Sequence, residues 1–382
     1  MRVVRWRRPK RTATITTTIT TEAPSTGRRL VVPKEAIVAV DANGADMGAR
    51  EVAAGVRIAA QRGVHVLLFG AAAEFGDMGP GIEVIDAPVS VAKSPDPVRA
   101  VRSTPEASIV QATRAVGDGR AQALVCAGAT GAALAAGMFN VKRQRGIHRP
   151  ALALPIPVPQ SISAHPVTLL DVGASAQARV EHLVQFAFMG AAFASAVLGV
   201  ERPRVGLLSN GEESQRGSEL VVAAGAEIGA CLRSTNIRWV GNVEGGDIVS
   251  GAADVVVTDG FTGNIALKLM EGVSQTMLGA VRNAAEGSLR GMLGGLLLRS
   301  SLRGFREEID PEGQGGAYLL GLRRLAVVAH GRFGRRGFAE AILRAQRGVL
   351  EDLVGVTHAA LSDAGALRRA PVSADPASLT SE

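Results

Sequence analysis

The stretch AIVAVDANGADMGAREVAAGVRIAA, residues 36–60, reads as one strand, one polar turn and one helix. The apolar run Ala36–Val40 predicts a buried strand, and Val52, Val56 and Ala59 recur at the spacing of one helical face. The turn between them contains an acid, an amide and a glycine. This unit is typical of an α/β protein.

The same pattern returns along the chain, where short apolar runs alternate with Ala-rich segments of helical period. Seven further runs predict strands: 64–69, 82–85, 123–126, 167–170, 205–208, 237–240 and 254–257. Near-continuous apolar strands separated by helices are typical of a parallel sheet covered on both faces. The sequence therefore predicts a three-layer αβα fold with a mostly parallel sheet.

Five of the predicted strands run into polar turns that contain glycine. They are 41–44 (DANG), 127–131 (AGATG), 171–173 (DVG), 209–213 (SNGEE) and 259–263 (DGFTG). In an open parallel sheet the carboxyl ends of the strands share one edge, where ligands bind. We therefore expect the five turns to converge on one anion site, with helix N-termini beside it. The alternative is that each glycine only allows a tight turn.

The polar residues of these turns are the candidate binding residues. They are Asp41, Asp46, Gly128, Thr130, Gly131, Asp171, Asn210, Glu212, Glu213, Arg216, Asp259, Gly260, Thr262 and Gly263. Lys268 and Arg216 are the expected phosphate contacts, because an ammonium and a guanidinium are common partners of that anion. For Asp41, Asp171 and Asp259, a helix cap remains the alternative.

Motifs of several other chemistries are missing from the sequence. Cys126 and Cys231 are the two cysteines, without CxxC spacing, so no metal site or disulfide framework is expected. Cys126 has no base beside it in sequence, and we expect a buried structural thiol. His330, beside a glycine turn, is a candidate acid or base, or else a structural histidine. Walker A and GxGxxG patterns are missing, and no cofactor is expected.

Charge is distributed unevenly along the 382 residues. The net charge is +7, but residues 1–34 contain nine basic residues and one acid, and the rest contains 33 basic and 34 acidic residues. We expect residues 1–35 to form a disordered, basic, Thr-rich tail, 36–365 the folded α/β domain, and 366–382 a second disordered tail. The neutral body predicts no nucleic-acid partner, although the basic tail could bind nucleic acid or anionic lipid.

Two segments of the sequence are relevant to membrane association. The uncharged stretch 183–200 contains a glutamine and many small residues, which favours a buried helix over a membrane span. The segment at about 286–306 interleaves leucines with arginines, as interfacial helices do. It is expected either to contact the membrane or to pack on the domain or on a dimer partner. The cysteine usage, and the missing apolar run after the basic start, favour a cytoplasmic location.

Together these motifs resemble the bacterial phosphate acyltransferases of phospholipid synthesis, from about residue 36 to residue 353. The most specific match is 257–272, VTDGFTGNIALKLMEG, which contains the family's DGFTGN, LK and EG elements. Supporting matches are 149–151 (RPA), 183–187 (LVQFA), 211–213 (GEE), 241–244 (GNVE) and 315–321 (GGAYLLG), followed by His330-Gly331.

The resemblance implies a fold like that of isocitrate dehydrogenase and phosphate acetyltransferase. It also implies a cytosolic homodimer, peripherally attached to the membrane, that makes acyl phosphate from acyl-[acyl-carrier-protein] and inorganic phosphate. The product would pass to a membrane-bound glycerol-phosphate acyltransferase. On this basis Lys268 and the amides of turns 128–131 and 260–263 are expected to hold phosphate, Asn264 to stabilise the oxyanion and His330 to donate a proton.

Several positions depart from the family pattern. Residues 41–46 are DANGAD where the family has DxMGGD, and Ala129, Ser175 and Gln177 replace polar or acidic residues. These departures leave a second hypothesis open: a divergent paralogue that binds acyl-carrier protein, phosphate or membrane without catalysing transfer.

Overall fold

The computed structural model describes residues 36–158, 165–232, 235–308 and 310–368. The predicted N-terminal tail, 1–35, and the predicted C-terminal tail from residue 369 lie outside the described residues. At the start of the second predicted tail, the N–H of Arg368 still donates to the carbonyl of Gly146 at 2.8 Å.

Eleven strands of the described residues form one sheet, in the order β3-β2-β1-β4-β11-β10-β5-β6-β9-β7-β8. They are β1 (Ile37–Asp41), β2 (His65–Gly70), β3 (Ile82–Asp86), β4 (Ala123–Ala127), β5 (Ala151–Ile156), β6 (Val167–Leu170), β7 (Arg204–Leu208), β8 (Arg238–Val243), β9 (Val255–Val257), β10 (Ala317–Leu320) and β11 (Leu325–Ala329). All eight strands predicted from the sequence are present. The structure adds β5, β10 and β11.

The sheet is mostly parallel, as predicted, but its direction reverses in the middle. Strands β3, β2, β1, β4 and β11 run together, and β6, β9, β7 and β8 run together. The pairings β11-β10, β10-β5 and β5-β6 between these groups are antiparallel. The two groups therefore point in opposite directions.

The prediction that all five polar turns converge is therefore wrong. The turns after β1 and β4 lie at one edge of the sheet, which we call the first rim, together with the turn after β11. The turns after β6, β7 and β9 lie at the opposite edge, the second rim. A strand of five residues separates the rims by about 15 Å.

Helices cover both faces of the sheet. They are α1 (Ala49–Gln61), α2 (Pro97–Ser103), α3 (Ser108–Gly117), α4 (Thr130–Ala136), α5 (Val180–Leu198), α6 (Glu219–Leu232), α7 (Gly245–Ser250), α8 (Gly260–Glu286), α9 (Leu289–Glu308), α10 (Arg335–Leu350) and α11 (Leu353–Asp363). Alternate strand residues face opposite layers: Val38 and Val40 belong to the core cluster that includes α1, α5 and α10, whereas Ala39 belongs to the cluster that includes α3 and α4. This gives the predicted three layers.

Helix α5 confirms the prediction of a buried helix. Among the described helices it is the one long and apolar enough to cross a membrane, yet 78% of that stretch is buried inside the protein. The aromatic side chains of Phe186, Phe188 and Phe193 are fully buried, and Phe193 packs edge-on against Tyr318 of β10. The apolar composition of α5 is thus explained by core packing.

Helices α8 and α9 carry an exposed apolar surface. On α8, Ala266, Leu267 and Met270 pack against the body. The other side of α8 and much of α9 expose large apolar side chains: Phe261, Ile265, Leu269, Val273, Met277, Val281, Met292, Leu293, Leu296, Leu297 and Leu298. Gly291 and Gly295 let α9 approach the end of α8, where an added Cβ would lie within 3.2 Å of Ala284 or Ala285.

Candidate active site

At the first rim, the turns after β1, β4 and β11 come together through their glycines. A Cβ at Gly44 would lie 2.3 Å from the carbonyl oxygen of Ala127, and one at Gly128 would lie 2.8 Å from Cα of Gly331. The N–H of Asp46 donates to the carbonyl of Gly331 at 2.8 Å. This close backbone approach explains the glycines, and it brings Asp46 beside His330.

Asp41, at the end of β1, is buried beneath this rim. Its Oδ1 accepts a hydrogen bond from the N–H of Asn43 at 3.1 Å. The amide of Asn43 donates to Oγ of Ser108 and to the carbonyl of Ala87, both at 3.0 Å. Burial raises the pKa of Asp41 to about 7, although the hydrogen bonds from Ser108 and Asn43 oppose that shift. This carboxyl holds the turn in place from below.

The amides of the turn after β4 are largely occupied within the protein. The N–H of Gly128 donates to the carbonyl of Ala329, and the N–H groups of Ala129 and Thr130 donate to carbonyls of the same turn. The helix that follows, α4, is seven residues long. The N–H groups of Gly128 and Thr130 are therefore not free for an anion, whereas the expected role of Gly131 and of the Thr130 hydroxyl stays a prediction.

At the second rim, Asp171 organises the turn after β6. Its Oδ1 accepts from the N–H groups of Leu152, Gly173 and Ala174 at 2.9–3.1 Å. Its Oδ2 accepts from the N–H of Ser175 at 2.9 Å and from its hydroxyl at 2.7 Å. Burial raises the pKa of Asp171 against these hydrogen bonds. The carboxyl is enclosed, and the capping alternative describes it better than substrate contact.

Asp259 caps helix α8. Its Oδ1 accepts from the N–H groups of Phe261 and Thr262, and its Oδ2 accepts from the Thr262 hydroxyl at 2.6 Å. The N–H of Gly263 donates to the carbonyl of Asp259. Three of the amides expected to bind phosphate are therefore satisfied internally. Gly260 and Gly263 serve close packing instead, since a Cβ at Gly263 would lie 1.9 Å from the carbonyl oxygen of Asp171.

The turn after β7 lies further along the second rim. The guanidinium of Arg216 pairs with Glu213, with Nε and Oε2 3.3 Å apart, and both side chains are exposed. The amide of Asn242 on β8 holds this turn by donating to the carbonyls of Glu213 and Arg216. Asn210 and Glu212 are exposed at its surface. Within the described residues, no hydrogen bond or ion pair joins this turn to α8.

Helix α8 connects the two rims. Asn264 lies near Gly173, where a Cβ would be 3.8 Å from the asparagine side chain. Two turns further, Oε1 of Glu271 lies 3.8 Å from Nε2 of His330 at the first rim. Asn264, Lys268 and Glu271 are spaced four and three residues apart, so they form one stripe of about 10 Å along the helix. We call these three residues the α8 polar stripe.

Hydrogen bonding orients His330 at the end of this stripe. Its Nδ1 accepts from the N–H of Arg332 at 3.2 Å, so the neutral ring carries its proton on Nε2, toward Glu271. The sequence predicted Asn264, Lys268 and His330 but missed Glu271. The LK and EG elements of the 257–272 match contain the signal, because their spacing puts Lys268 and Glu271 on one helical face.

The surroundings of Cys126 and of one histidine-containing cluster indicate what each of them does. Cys126 is fully buried, and burial raises the pKa of its thiol far above the usual range, as expected for a structural cysteine. His148, Glu181 and His182 offer donor atoms within 4.8 Å of one another, as a metal site would. However, Nδ1 of His182 already accepts from the N–H of Arg179. Burial, and after it the neighbouring arginines, lowers the pKa of both histidines, and these positive charges disfavour a cation.

Comparison with known proteins identifies the family. The model of the family described as "fatty acid synthesis protein" matches residues 36–354. A phosphate acyltransferase of Geobacillus sp. (strain WCH70) is 39% identical over 325 residues, covering 83% of this chain and 96% of that protein. The chain belongs to this family of phosphate acyltransferases.

A second relative supports this assignment, and two solved structures have a similar fold. The phosphate acyltransferase of Desulforudis audaxviator (strain MP104C) is 40% identical over 330 residues, covering 85% of this chain and 96% of the relative. A phosphotransacetylase from Streptococcus pyogenes has a similar fold, with a TM-score of 0.56 at 13% identity, covering 83% of this chain and 95% of that structure. EutD phosphotransacetylase from Staphylococcus aureus has a TM-score of 0.52 at 15% identity, covering 82% of this chain and 94% of that structure.

These similarities support the first of the two hypotheses left open by the sequence. The chain is a phosphate acyltransferase of fatty acid and phospholipid synthesis. Its fold is that of the phosphotransacetylases, as the resemblance implied.

Proposed function

We propose that this phosphate acyltransferase transfers a fatty acyl group from acyl-[acyl-carrier-protein] to inorganic phosphate, and that the α8 polar stripe is where transfer occurs. The observation that carries the proposal is the position of this stripe. It places an exposed lysine between a half-buried amide at one rim and an imidazole at the other. No ion pair within the described residues neutralises Lys268.

Each group of the stripe suits one part of the reaction. The ammonium of Lys268 binds phosphate, which is already an anionic nucleophile. A phosphate oxygen attacks the thioester carbon, the C–O bond forms, the C–S bond breaks and the carrier leaves as a thiolate. The amide of Asn264 donates a hydrogen bond to the oxyanion that develops in between, and the Nε2–H of His330, toward the other end of the stripe, donates one to the departing thiolate. Most of the rate then comes from positioning, without a covalent intermediate on the enzyme.

A thiol-release assay tests this assignment. Purified protein is mixed with acyl-[acyl-carrier-protein], and free carrier thiol is followed with and without phosphate. We expect phosphate-dependent release that falls about 100-fold in Lys268→Ala. Arg282→Ala is the matched control, because it removes an exposed cation from the same helix four turns away, and it is expected to retain activity. Release that does not depend on phosphate, or equal activity of both variants, would overturn the proposal.

We further propose a cytoplasmic enzyme that attaches to the membrane surface through α9. Leu293, Leu296 and Leu297 are exposed on this helix, and Arg290 and Arg299 are exposed among them. Such a composition suits the boundary between headgroups and acyl chains of an anionic bilayer. A protein at this surface is placed to pass acyl phosphate, an amphiphile, to a membrane-bound glycerol-phosphate acyltransferase.

We also propose that α8 pairs with a second copy of the chain. Phe261, Ile265, Leu269, Val273 and Met277 follow one another at four-residue spacing and are all exposed. An apolar stripe of five side chains is unusual on a solvent-facing helix, and a two-fold dimer would bury it. Sedimentation of the purified protein tests this, with Leu269→Asp/Val273→Asp expected to be monomeric.

A further inference from the structure

A group of basic side chains at the second rim has no part in the proposed chemistry. They are exposed, and we call them the basic rim patch: Lys142, Arg145, Arg149, Arg179, Arg323 and Arg368. Within the part of the chain that the structure describes, the one ion pair among them joins Arg179 to Glu181 at 3.8 Å. Such a concentration of unpaired charge is costly for the fold by itself and attracts an acidic partner.

The patch is assembled from four separate segments at one edge of the sheet. The loop 142–149 leads into β5, and residues 321–324 join β10 to β11. The N–H of Arg323 donates to the carbonyl of Lys142 at 3.0 Å, and the N–H of Arg368 donates to that of Gly146 at 2.8 Å. The surface is therefore held together by backbone hydrogen bonds.

Gln185, inside α5, fixes this assembly from below. Its side chain is buried, and its Oε1 accepts from the N–H of His148 at 2.8 Å. Its Nε2 donates to the carbonyl of Gly146 at 2.9 Å and to that of Ala366 at 2.8 Å. One buried amide thus ties the loop 142–149 to the segment that carries Arg368. This role accounts for the polar residue in the otherwise apolar LVQFA match.

The charges of these segments act on the same place. Burial lowers the pKa of His148, Glu181 opposes that shift, and Arg368, Arg143 and Arg179 reinforce it. Arg149 and Arg179 act in the same way on the neighbouring His182, after burial. Guanidinium groups from three segments therefore produce one positive field beside the start of α5.

We propose that the basic rim patch is the docking surface for an acidic face of the acyl-carrier protein, an inference that rests on the proposed function. Charges spread over four segments match a folded partner rather than a single small anion. The patch lies at the same rim as Asn264 and the start of α8. A carrier docked there presents its thioester to the α8 polar stripe from the end opposite His330.

Binding without turnover tests the docking surface. Unacylated holo-acyl-carrier protein is titrated onto immobilised full-length protein at low and at high salt. Arg145→Glu/Arg368→Glu is expected to weaken binding about tenfold at low salt and less at high salt. Arg50→Glu/Arg238→Glu is the matched control, because it makes the same charge change on exposed residues at the opposite edge. It is expected to bind like the wild type. Equal loss in both variants would overturn the proposal.

Two further measurements distinguish this docking surface from the proposed catalytic function and from a membrane-binding surface. With an acyl-coenzyme A as soluble thioester, the patch variant is expected to turn over like the wild type, while its KM for acyl-carrier protein rises about tenfold. If no thioester is turned over by the wild type, the proposed function fails while the binding result still stands. A patch variant that loses binding to anionic phosphatidylglycerol vesicles but keeps the carrier would assign the patch to the membrane instead.

Discussion

Nε2 of His330, in the turn after β11, lies 3.8 Å from Oε1 of Glu271 on helix α8. This relationship joins a helix that begins at one edge of the sheet to a turn at the other edge. Nδ1 of the same ring accepts from the N–H of Arg332 at 3.2 Å. This hydrogen bond orients the imidazole so that Nε2 faces Glu271.

We expect Glu271 to act through His330. His330→Ala should lower kcat about 100-fold, and Glu271→Gln about tenfold, with the KM for phosphate little changed. The double variant should be no slower than His330→Ala, because an orienting residue has no effect once its partner is gone. Glu286→Gln, on the same helix, is the control. Multiplicative losses in the double variant would show that the two residues act independently.

The buried Asp41 predicts a pH-dependent stability. Its pKa is raised from 3.8 to about 7 by burial, so the folded protein keeps a proton that the unfolded chain has lost. Stability should therefore fall as the pH rises from about 4 to about 7, and then level off. Asp41→Asn should remove this dependence and raise the free energy of unfolding at pH 8 by up to about 4 kcal/mol.

Urea denaturation at several pH values measures the effect of Asp41. Asp118→Asn, at an exposed position, should leave the pH dependence of the wild type in place. The assignment fails if Asp41→Asn keeps the same slope between pH 4 and pH 7.

The close approach of α8 to the turn after β6 predicts that replacing a glycine of this helix by alanine has opposite effects on stability at two positions. At Gly263 a Cβ would lie 1.9 Å from the carbonyl oxygen of Asp171, whereas at Gly272 nothing lies within 4 Å. Gly263→Ala should therefore shift the helix, cost about 3 kcal/mol or more and reduce activity. Gly272→Ala should stabilise the same helix by about 0.5–1 kcal/mol. Melting temperatures of the two variants that change in the same direction would contradict this packing.

The sequence predicted the strands better than their directions. The eight predicted strands are β-branched apolar runs that are easily recognised, but β5 is an Ala/Leu run containing Pro155, and β10 has four residues. Together with β11, which the sequence analysis also missed, these strands form the antiparallel pairings at which the sheet reverses direction. Direction is set by long-range pairing, which no local pattern contains. The predicted convergence of five turns was wrong for that reason.

For the candidate site, the sequence identified α8 and the position of Lys268. It did not reveal that the acidic side chains are hydrogen-bonded within their own turns. Asp171 and Asp259 are each surrounded by the backbone N–H groups of their own turns. A carboxylate that caps a turn and one that contacts a ligand look the same in sequence. Sequence reasoning missed Glu271 because its role depends on His330, which lies 59 positions away in the chain.

The paired side chains of Arg204 and Asp254 predict a local contribution to stability. Nη2 and Nε of Arg204 donate to both oxygens of Asp254 at 2.8 and 3.1 Å, and Nη1 and Nη2 also donate to the carbonyls of Ala252 and Gly251. Arg204→Ala should cost about 3 kcal/mol, because it removes the charged partner of a largely buried carboxylate and the donors to two backbone carbonyls. Arg120→Ala, which breaks the exposed pair with Glu83, should cost less than about 0.5 kcal/mol. Urea unfolding compares them, and similar losses would refute the distinction.

The exposed leucines of α9 predict membrane attachment that can be separated from catalysis. Leu296→Asp/Leu297→Asp places two carboxylates where the bilayer would be entered, at a cost of about 2 kcal/mol or more each. Flotation with phosphatidylglycerol vesicles should show loss of binding, while phosphate-dependent thiol release from soluble substrate persists. Val98→Asp/Val249→Asp makes the same changes at exposed positions on other helices and should still float. Equal flotation of the α9 variant and the wild type would contradict the membrane role of this helix. If the variant lost catalysis as well as binding, α9 would instead be required for the folded structure.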